Sequence, residues 1–461
     1  MPDLSTINIP ISEYSTKNPY KFSRFGKFLD NPNKIYYNVY NQNIYLIKYK
    51  KGVNMIERKE YLDKLIAWKD EQVIKVVTGI RRCGKSTLLD LYKQYLTKNG
   101  INDEQIISIN FEDLDNEGLL NYKVLYDHLV KKLQKDKMTY IFLDEVQKVN
   151  GFEKAVDSLY IKQDVDVYIT GSNSYMLSGE LATLLSGRYV EIKMLPFSFK
   201  EYVEAQDGIN TDSLFAEYMR CGSFPYIASM SDKEEKADTY IEGIYNTVII
   251  KDIEERQARK EKTTDKRKIT DITLLKNIAK YLASVIGSPV SVKSIADYIA
   301  SSGRKVSQNT VSDYIEALTE AFIFYSAERY DVYGKQLLKQ NAKYYIVDLG
   351  LRRYLLSKRN YDLGYSLENI VYLELLRREF TVNVGKIGNQ EVDFIVKKGD
   401  LIEYIQVSAS LTEQSTFDRE ISPLRQIKDN YPKTILTLDK FTLGNYDGIE
   451  VKNVLDWLLE K

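Results

Sequence analysis

Runs of apolar and β-branched residues alternate with helix-spaced apolar positions through the first half of the chain. Five runs of five or six residues read as buried strands: Val73–Thr78, Ile106–Phe111, Met138–Leu143, Val165–Ile169 and Tyr189–Lys193. Between them, apolar residues recur three and four positions apart, as they do in amphipathic helices. Strands that alternate with helices form a parallel sheet covered by helices. We therefore predict an α/β fold that begins near Met55.

The first run leads into a loop that is bracketed by glycines. The phosphate-binding pattern G-x-x-x-x-G-K-[ST] is filled at every position by Gly79, Ile80, Arg81, Arg82, Cys83, Gly84, Lys85, Ser86 and Thr87. Such glycines let backbone N–H groups cradle phosphate oxygens, and the helix that follows directs its positive end at the same anion. Lys85 then faces the outer phosphates, and the Ser86 hydroxyl is placed to bind Mg²⁺. A strand before the loop and a helix after it disfavour the alternative of an unrelated glycine turn.

Two further strand ends carry polar residues that complete such a site. Met138–Leu143 runs into Asp144 and Glu145. We predict that Asp144 holds the magnesium ion and that Glu145 is the general base for the attacking water. The next strand ends in T-G-S-N-S, where either Ser172 or Asn173 is a candidate to orient that water.

Two residues of this region have two interpretations each. Arg188, in the sequence L-S-G-R before the fifth strand, is either an arginine finger for a neighbouring subunit or a surface residue at a helix end. Cys83 is either a redox brake on nucleotide binding or a small residue that suits a tight turn. We favour the turn for Cys83 and leave Arg188 open.

Composition narrows the class of protein. The 461 residues contain 65 Lys plus Arg and 65 Asp plus Glu, so no overall positive field attracts nucleic acid. The single histidine excludes a histidine-based metal cluster. Two cysteines, with no apolar run of membrane-spanning length and no signal-peptide pattern, indicate a reducing cytoplasm and no membrane association.

The pattern divides the chain into five parts. We expect a weakly ordered or misannotated extension over 1–54, an ATPase core over 55–225, a helical lid or linker over 226–269, a winged helix-turn-helix over 270–330, and a second strand-and-helix part over 331–461. The third helix of the winged unit, Gln308–Ala321, carries Asp313, Glu316 and Glu320 and no basic residue. Because a helix that enters the major groove meets phosphates, we favour a structural use of this unit over DNA recognition.

With these residues in place, the chain resembles a prokaryotic family of AAA-type P-loop ATPases with a C-terminal domain of unknown function. The resemblance covers Met55 to Lys461. It rests on G-I-R-R-x-G-K-S-T, F-L-D-E, T-G-S-N-S, L-S-G-R, L-P-F-S-F-x-E-Y, G-S-F-P, V-D-L-G-L, E-N-I-V-Y and E-V-D-F. It implies an AAA-type core with a lid, a winged helix, a restriction-endonuclease-like ending, and slow ATP hydrolysis with Mg²⁺.

The endonuclease-like ending lacks parts of a nuclease site. Glu368 and Asp393 stand at matching positions, but the acid and lysine expected on the next strand are replaced by Gln406 and Ser408. We therefore expect no DNA cleavage. The leading hypothesis is an ATPase whose conformational change is coupled to an unidentified protein partner, with a homo-oligomer as a possible assembly. The alternative is a DNA-binding regulatory or defence-type protein that uses ATP as a ligand.

Overall fold

A computed structural model of the protein describes residues 37–40, 43–46, 56–171, 185, 187–206, 210–247, 271–301, 303–357 and 362–460. The chain divides into two compact units, Met1–Val53 and Asn54–Lys461. Within the first unit, strands β1 (Tyr37–Tyr40) and β2 (Asn43–Leu46) form an antiparallel hairpin.

The first sheet of the second unit has five strands, all parallel. Its order is β4-β5-β6-β3-β7. The strands are β3 (Ile74–Thr78), β4 (Ile106–Asn110), β5 (Thr139–Asp144), β6 (Val165–Thr170) and β7 (Tyr189–Lys193). Every residue of β3 and β5 is buried, which explains why their sequences are nearly continuous apolar runs rather than alternating ones. The α/β prediction is confirmed.

Helices pack against this sheet, and each helix buries its apolar face. They are α1 (Lys59–Ala67), α2 (Lys85–Lys98), α3 (Tyr122–Val130), α4 (Phe152–Tyr160) and α5 (Phe199–Glu204). In α4 the buried residues are Phe152, Ala155, Val156 and Leu159. This spacing of three and four places them on one face, so hydrophobic burial orients the helix against the sheet.

The segment after the core is helical. It contains α6 (Thr211–Cys221), α7 (Pro225–Ala228) and α8 (Lys233–Tyr245). Our sequence analysis assigns 226–269, which includes α8, to a lid or linker, and places α6 in the ATPase core. The charged stretch 256–268 that follows α8 in the sequence lies outside the described residues.

A winged unit follows, and its strands extend into a larger sheet. The unit contains α9 (Ile272–Ser284), β8 (Pro289–Val290), α10 (Val292–Ser301), α11 (Gln308–Glu320), β9 (Phe324–Asp331) and β10 (Gln336–Ile346). Ser307 caps α11, because its side chain accepts a hydrogen bond from the Thr310 backbone N–H. The boundary that we propose near residue 330 falls within β9.

The C-terminal part completes a nine-stranded sheet of order β15-β16-β14-β13-β12-β11-β9-β10-β8. Its strands are β11 (Thr381–Ile387), β12 (Gln390–Lys398), β13 (Leu401–Ser408), β14 (Lys433–Thr437), β15 (Gly444–Tyr446) and β16 (Ile449–Asn453). Its helices are α12 (Leu349–Leu355), α13 (Leu363–Arg377), α14 (Gln414–Gln426) and α15 (Val454–Leu459).

One buried apolar cluster joins the parts of the second unit. Its members include Tyr92 on α2, Phe224 beside α7, Leu275 on α9 and Leu375 on α13. The ATPase core and the C-terminal sheet therefore share a core instead of meeting only through a linker. Among the described residues, no helix is both long and apolar enough to cross a membrane.

Candidate active site

The phosphate loop lies between β3 and α2, and its two glycines have conformations that other residues rarely adopt. Gly79 has φ +143°, and a Cβ there would lie 2.1 Å from the Met194 carbonyl oxygen. Gly84, the residue before α2, has φ +102°. Both positions therefore require glycine, one for close backbone approach and one for a left-handed turn. This geometry suits a loop that cradles phosphate.

The side chains of the loop differ in their exposure. Lys85 is buried, and its ammonium donates to the carbonyl oxygens of Gly79 at 3.0 Å and Ile80 at 3.3 Å. Ser86 and Thr87 are exposed at the start of α2. Cys83 is buried, and burial raises the pKa of its thiol. Because a thiolate is the reactive form, this environment supports a packing role for Cys83 over a redox brake.

The tip of β5 lies beside the tip of β6. The Thr170 hydroxyl donates to an Asp144 carboxylate oxygen, and the backbone N–H of Glu145 donates to the Thr170 hydroxyl at 3.0 Å. Asp144 also shares a hydrogen bond with Ser86. Burial raises the pKa of Asp144, and the hydroxyls of Thr170 and Ser86 oppose that rise. The structure thus brings together Ser86 and Asp144, the two residues that we expect to bind magnesium.

Glu145 follows β5 in a left-handed conformation with φ 54°. Its side chain is buried, and one carboxylate oxygen accepts a hydrogen bond from the Gln147 side chain. A left-handed backbone is uncommon for a glutamate, and such conformations are concentrated at functional sites. Gln147, which our sequence analysis does not single out, therefore holds the carboxylate that we expect to act as the base.

Of the remaining predicted catalytic residues, the structure describes Arg188. Ser172 and Asn173 lie outside the described residues. Arg188 is exposed and precedes β7, where its backbone oxygen accepts from the Ile74 N–H at 2.9 Å. Ile74 begins β3, whereas the phosphate loop follows the end of that strand. Arg188 therefore lies at the amino-terminal ends of the strands, whereas its own phosphate loop lies at their carboxyl ends. Its guanidinium is 5.3 Å from the centre of the Tyr160 ring.

The structure adds Arg58 to the site, a residue that our sequence analysis misses. Arg58 precedes α1, is 3% exposed, and has φ 51°. Its guanidinium donates to the Cys83 carbonyl at 2.9 Å, the Leu195 carbonyl at 2.8 Å and the Glu201 carboxylate at 2.6 Å. No motif signals this contact, because Arg58 lies 25 residues before Cys83 and 143 before Glu201.

The segment Met194–Ser198 connects the phosphate loop to the C-terminal part. The Met194 N–H donates to the Thr78 carbonyl at 2.8 Å, and the Pro196 carbonyl accepts from Arg377 on α13 at 2.8 Å. Nearby, the Asp348 carboxylate before α12 accepts from the backbone and the hydroxyl of Ser223 at 2.5 and 2.7 Å. Two buried polar contacts therefore join the nucleotide-binding core to the elements around the second sheet.

A second cleft, of about 720 Å³, opens beside α13, β12 and β13 and is lined by Glu368, Asp393, Gln406, Ser408 and Glu420 among others. Glu368 and Asp393 thus share one cleft with Gln406, as the endonuclease-like resemblance implies. The Gln406 side chain donates to Glu420 at 2.6 Å, and its oxygen accepts from the Asp393 N–H at 3.2 Å.

A buried ammonium group pairs with carboxylates that line this cleft, although residues 406–408 supply none. Lys343 of β10 is buried, and its Nζ lies 3.0 Å from Glu368, 2.7 Å from Glu391 and 3.7 Å from Asp393. Burial opposes its charge, but the carboxylates of Glu368, Asp393 and Glu391 raise the pKa of Lys343. The charged lysine thus occupies a position between carboxylates that a metal ion would otherwise bind. No group of three acidic, histidine or cysteine side chains in the described part of the chain has metal-binding geometry.

Comparison with known proteins agrees with the geometry of the first site. Residues 71–203 match a family described as "AAA domain", and residues 212–362 match a "Domain of unknown function (DUF8612)". An uncharacterised protein of Haemophilus influenzae is 41% identical over 411 residues, which cover 88% of this chain and 99% of that protein. The chain belongs to this family of AAA-type ATPases with a C-terminal domain of unknown function. The family resemblance and the AAA-type fold that we predict are therefore confirmed.

The family extends to archaea. An uncharacterised protein of Methanocaldococcus jannaschii is 31% identical over 409 residues, which cover 83% of this chain and 85% of that protein. Among solved structures, a Walker-type ATPase of Pyrococcus abyssi is 15% identical with a TM-score of 0.42, covering 67% of this chain and 99% of that one. AMPPCP-bound DnaA from Aquifex aeolicus is 15% identical with a TM-score of 0.26, covering 58% of this chain and 89% of that one.

Proposed function

We propose that this AAA-family protein binds Mg-ATP at residues 79–87 and hydrolyses it slowly. The observation that carries the proposal is the convergence of Ser86, Asp144 and Thr170 beside a loop whose Gly79 leaves no space for a side chain. The hydroxyl and carboxylate are oxygen ligands of the kind that Mg²⁺ prefers, so the residues fit that ion. Adenine over guanine follows from the family and from the lack of an N-K-x-D guanine-reading motif.

Each residue of the site has a distinct task in this proposal. Lys85 faces the outer phosphates, while Ser86 and Asp144 hold the magnesium ion, which neutralises phosphate charge when it is bound. Glu145 accepts the proton of the attacking water, and Gln147 fixes the direction of its carboxylate. Ser172 and Asn173 remain our candidates to orient that water, and Thr170 joins the tips of the two strands.

We further propose that nucleotide state is transmitted to the C-terminal part and from there to a protein partner. The contacts from Pro196 to Arg377 and from Ser223 to Asp348 support this route, because both connect segments next to the loop with the second sheet. A homo-oligomer is part of the proposal, since Arg188 lies away from the phosphate loop of its own subunit. The two unpaired thiols, Cys83 and Cys221, support a cytoplasmic location.

The test of nucleotide binding is Lys85→Ala, with Lys98→Ala as its matched control. Both lysines belong to α2, but Lys98 is exposed at the far end of that helix. ATP affinity, measured by calorimetry with magnesium, should be lost in Lys85→Ala and unchanged in Lys98→Ala. Equal affinity in the two variants would show that residues 79–87 do not bind the phosphates.

The alternative function is DNA binding, with ATP as a ligand that is not hydrolysed for work. One of the basic side chains that could contact DNA phosphates is already paired with a carboxylate. Arg304, one of two basic residues before α11, forms an ion pair with Asp271. We therefore expect ATP turnover to be unchanged by duplex DNA. Stimulation that disappears at moderate salt would favour the alternative, because phosphate contacts are salt-sensitive.

A further inference from the structure

An aromatic pair lies next to the phosphate loop, and our account of hydrolysis does not use it. A Cβ built on Gly84 would lie 3.9 Å from the Cγ of Pro225, so the start of α7 approaches the loop closely. Tyr226 is the next residue along the chain. Its ring lies 5.0 Å from that of Tyr240 on α8, with 46° between the two planes.

The two tyrosines differ in their exposure. The ring of Tyr240 is half-buried, whereas Tyr226 is 59% exposed. Burial raises the pKa of Tyr240, and the positive charge of Arg82 in the phosphate loop opposes that rise. Tyr240 thus supports one side of the Tyr226 ring, and much of that ring remains open to solvent.

We propose that Tyr226, supported by Tyr240, forms the stacking platform for the base of the nucleotide whose phosphates occupy residues 79–87. The proposal rests on the proposed function, since it requires a nucleotide at this loop. Every base has a π-face, so a tyrosine ring binds bases by stacking without reading their hydrogen-bonding edges. A larger ring stacks over more area, so the platform favours purine over pyrimidine nucleotides and discriminates weakly between the two purines.

The experiment compares a ligand that has a base with one that has only phosphates. ATP and inorganic tripolyphosphate, each with magnesium, are titrated into the full chain and into Tyr226→Ala and Tyr226→Phe. The matched control is Tyr298→Ala. Tyr298 is 52% exposed, and its ring lies 4.7 Å from that of Tyr281 with the same 46° between planes, but in the winged unit.

We expect Tyr226→Ala to weaken ATP binding by about tenfold, which is within the range for loss of one base–aromatic stack. Tyr226→Ala should bind tripolyphosphate as tightly as the unchanged chain does. Tyr226→Phe and Tyr298→Ala should bind ATP with the affinity of the unchanged chain. The affinity for CTP should change less than that for ATP, so that the purine preference shrinks in Tyr226→Ala.

The possible failures are distinguishable. Unchanged ATP affinity in Tyr226→Ala, while Lys85→Ala abolishes binding, would overturn the platform and leave the proposed function intact. An equal loss for ATP and tripolyphosphate would also overturn it, because Tyr226 would then act on the shape of the loop. Absence of ATP and tripolyphosphate binding by the unchanged chain would overturn the proposed function and the platform together.

Discussion

The guanidinium of Arg58 donates a hydrogen bond of 2.9 Å to the carbonyl oxygen of Cys83 in the phosphate loop. The same group forms a 2.6 Å ion pair with Glu201, whose other carboxylate oxygen accepts from the Ser198 backbone at 2.8 Å. Arg58 therefore connects the loop to the segment that leads towards the C-terminal part. Its planar fork serves three acceptors in different directions, which a lysine ammonium does less well.

Arg58→Ala should destabilise the protein and weaken ATP binding. Removing one partner of a buried ion pair leaves Glu201 uncompensated, at a cost of about 3–5 kcal/mol. Denaturant unfolding and ATP titration measure the two effects. Lys59→Ala is the control, since Lys59 forms a solvent-exposed ion pair with Asp63 on α1, and its removal should change neither quantity. Normal stability of Arg58→Ala would contradict the buried network.

Glu145→Gln should bind Mg-ATP but lose hydrolysis. An amide keeps the shape of the side chain yet cannot accept the proton of the attacking water, and we expect turnover to fall by about 10²–10⁴-fold. Phosphate release and nucleotide affinity are measured on the same preparation. Glu112→Gln, at an exposed position after the neighbouring strand, should retain turnover. Retained turnover in Glu145→Gln together with lost turnover in Glu112→Gln would assign the base to Glu112.

Arg188→Ala should remove a dependence of hydrolysis on protein concentration. If Arg188 completes the site of a neighbouring subunit, turnover per subunit rises as the protein associates, and the variant loses that rise by more than about tenfold. ATP affinity should not change. Lys154→Ala is the control, because Lys154 is also an exposed cation above a tyrosine ring, 5.1 Å from that of Tyr122. Turnover independent of concentration in a confirmed monomer would leave Arg188 as a surface residue.

Lys343→Met should make stability depend more steeply on pH. Burial raises the pKa of Asp393 well above its ordinary value, the Glu368 carboxylate raises it further, and the Lys343 charge opposes this rise. Without that charge, the folded pKa values of the carboxylates rise further. A carboxyl group with a raised folded pKa stabilises the fold below its unfolded pKa, and this stabilisation is lost as pH rises.

Relative to the unchanged chain, the unfolding free energy of Lys343→Met should therefore fall as pH rises from about 4, the ordinary carboxyl pKa, towards neutrality. Denaturant midpoints across this range provide the measurement. Lys397→Met is the control. Lys397 also belongs to this sheet, on β12, but its cation lies over the Tyr330 ring, whereas Lys343 pairs with Glu368, Glu391 and Asp393. Parallel pH profiles for the unchanged chain and Lys343→Met would mean that the ammonium does not offset these charges.

The protein should not nick supercoiled DNA with magnesium or manganese, with or without ATP. Gln406 and Ser408 replace the acid and lysine of an active site, and Lys343 is held by the carboxylates instead of facing a phosphate. Agarose electrophoresis of plasmid measures nicking, and activity from a contaminant would survive Asp393→Ala. Metal-dependent nicking that Asp393→Ala removes would show that the cleft is an active nuclease site.

The sequence alone determined the parts of this protein that depend on local pattern. A buried strand followed by two spaced glycines and a helix allows few backbone arrangements, so Gly79 to Thr87 were predictable as a phosphate loop. The position of Asp144 and Glu145 at the strand end beside the loop was predictable for a related reason. They end a buried strand, and parallel strands present their carboxyl ends at one edge of a sheet.

Only the tertiary structure decided which distant residues complete each site. Arg58 reaches Cys83 and Glu201, and Lys343 reaches Glu368 and Glu391, across separations that no spacing rule encodes. These charges are buried, and a buried charge must be paired wherever the packed elements place its partner. The pairing therefore depends on how helices and sheets pack, and it becomes visible only when the whole chain is folded.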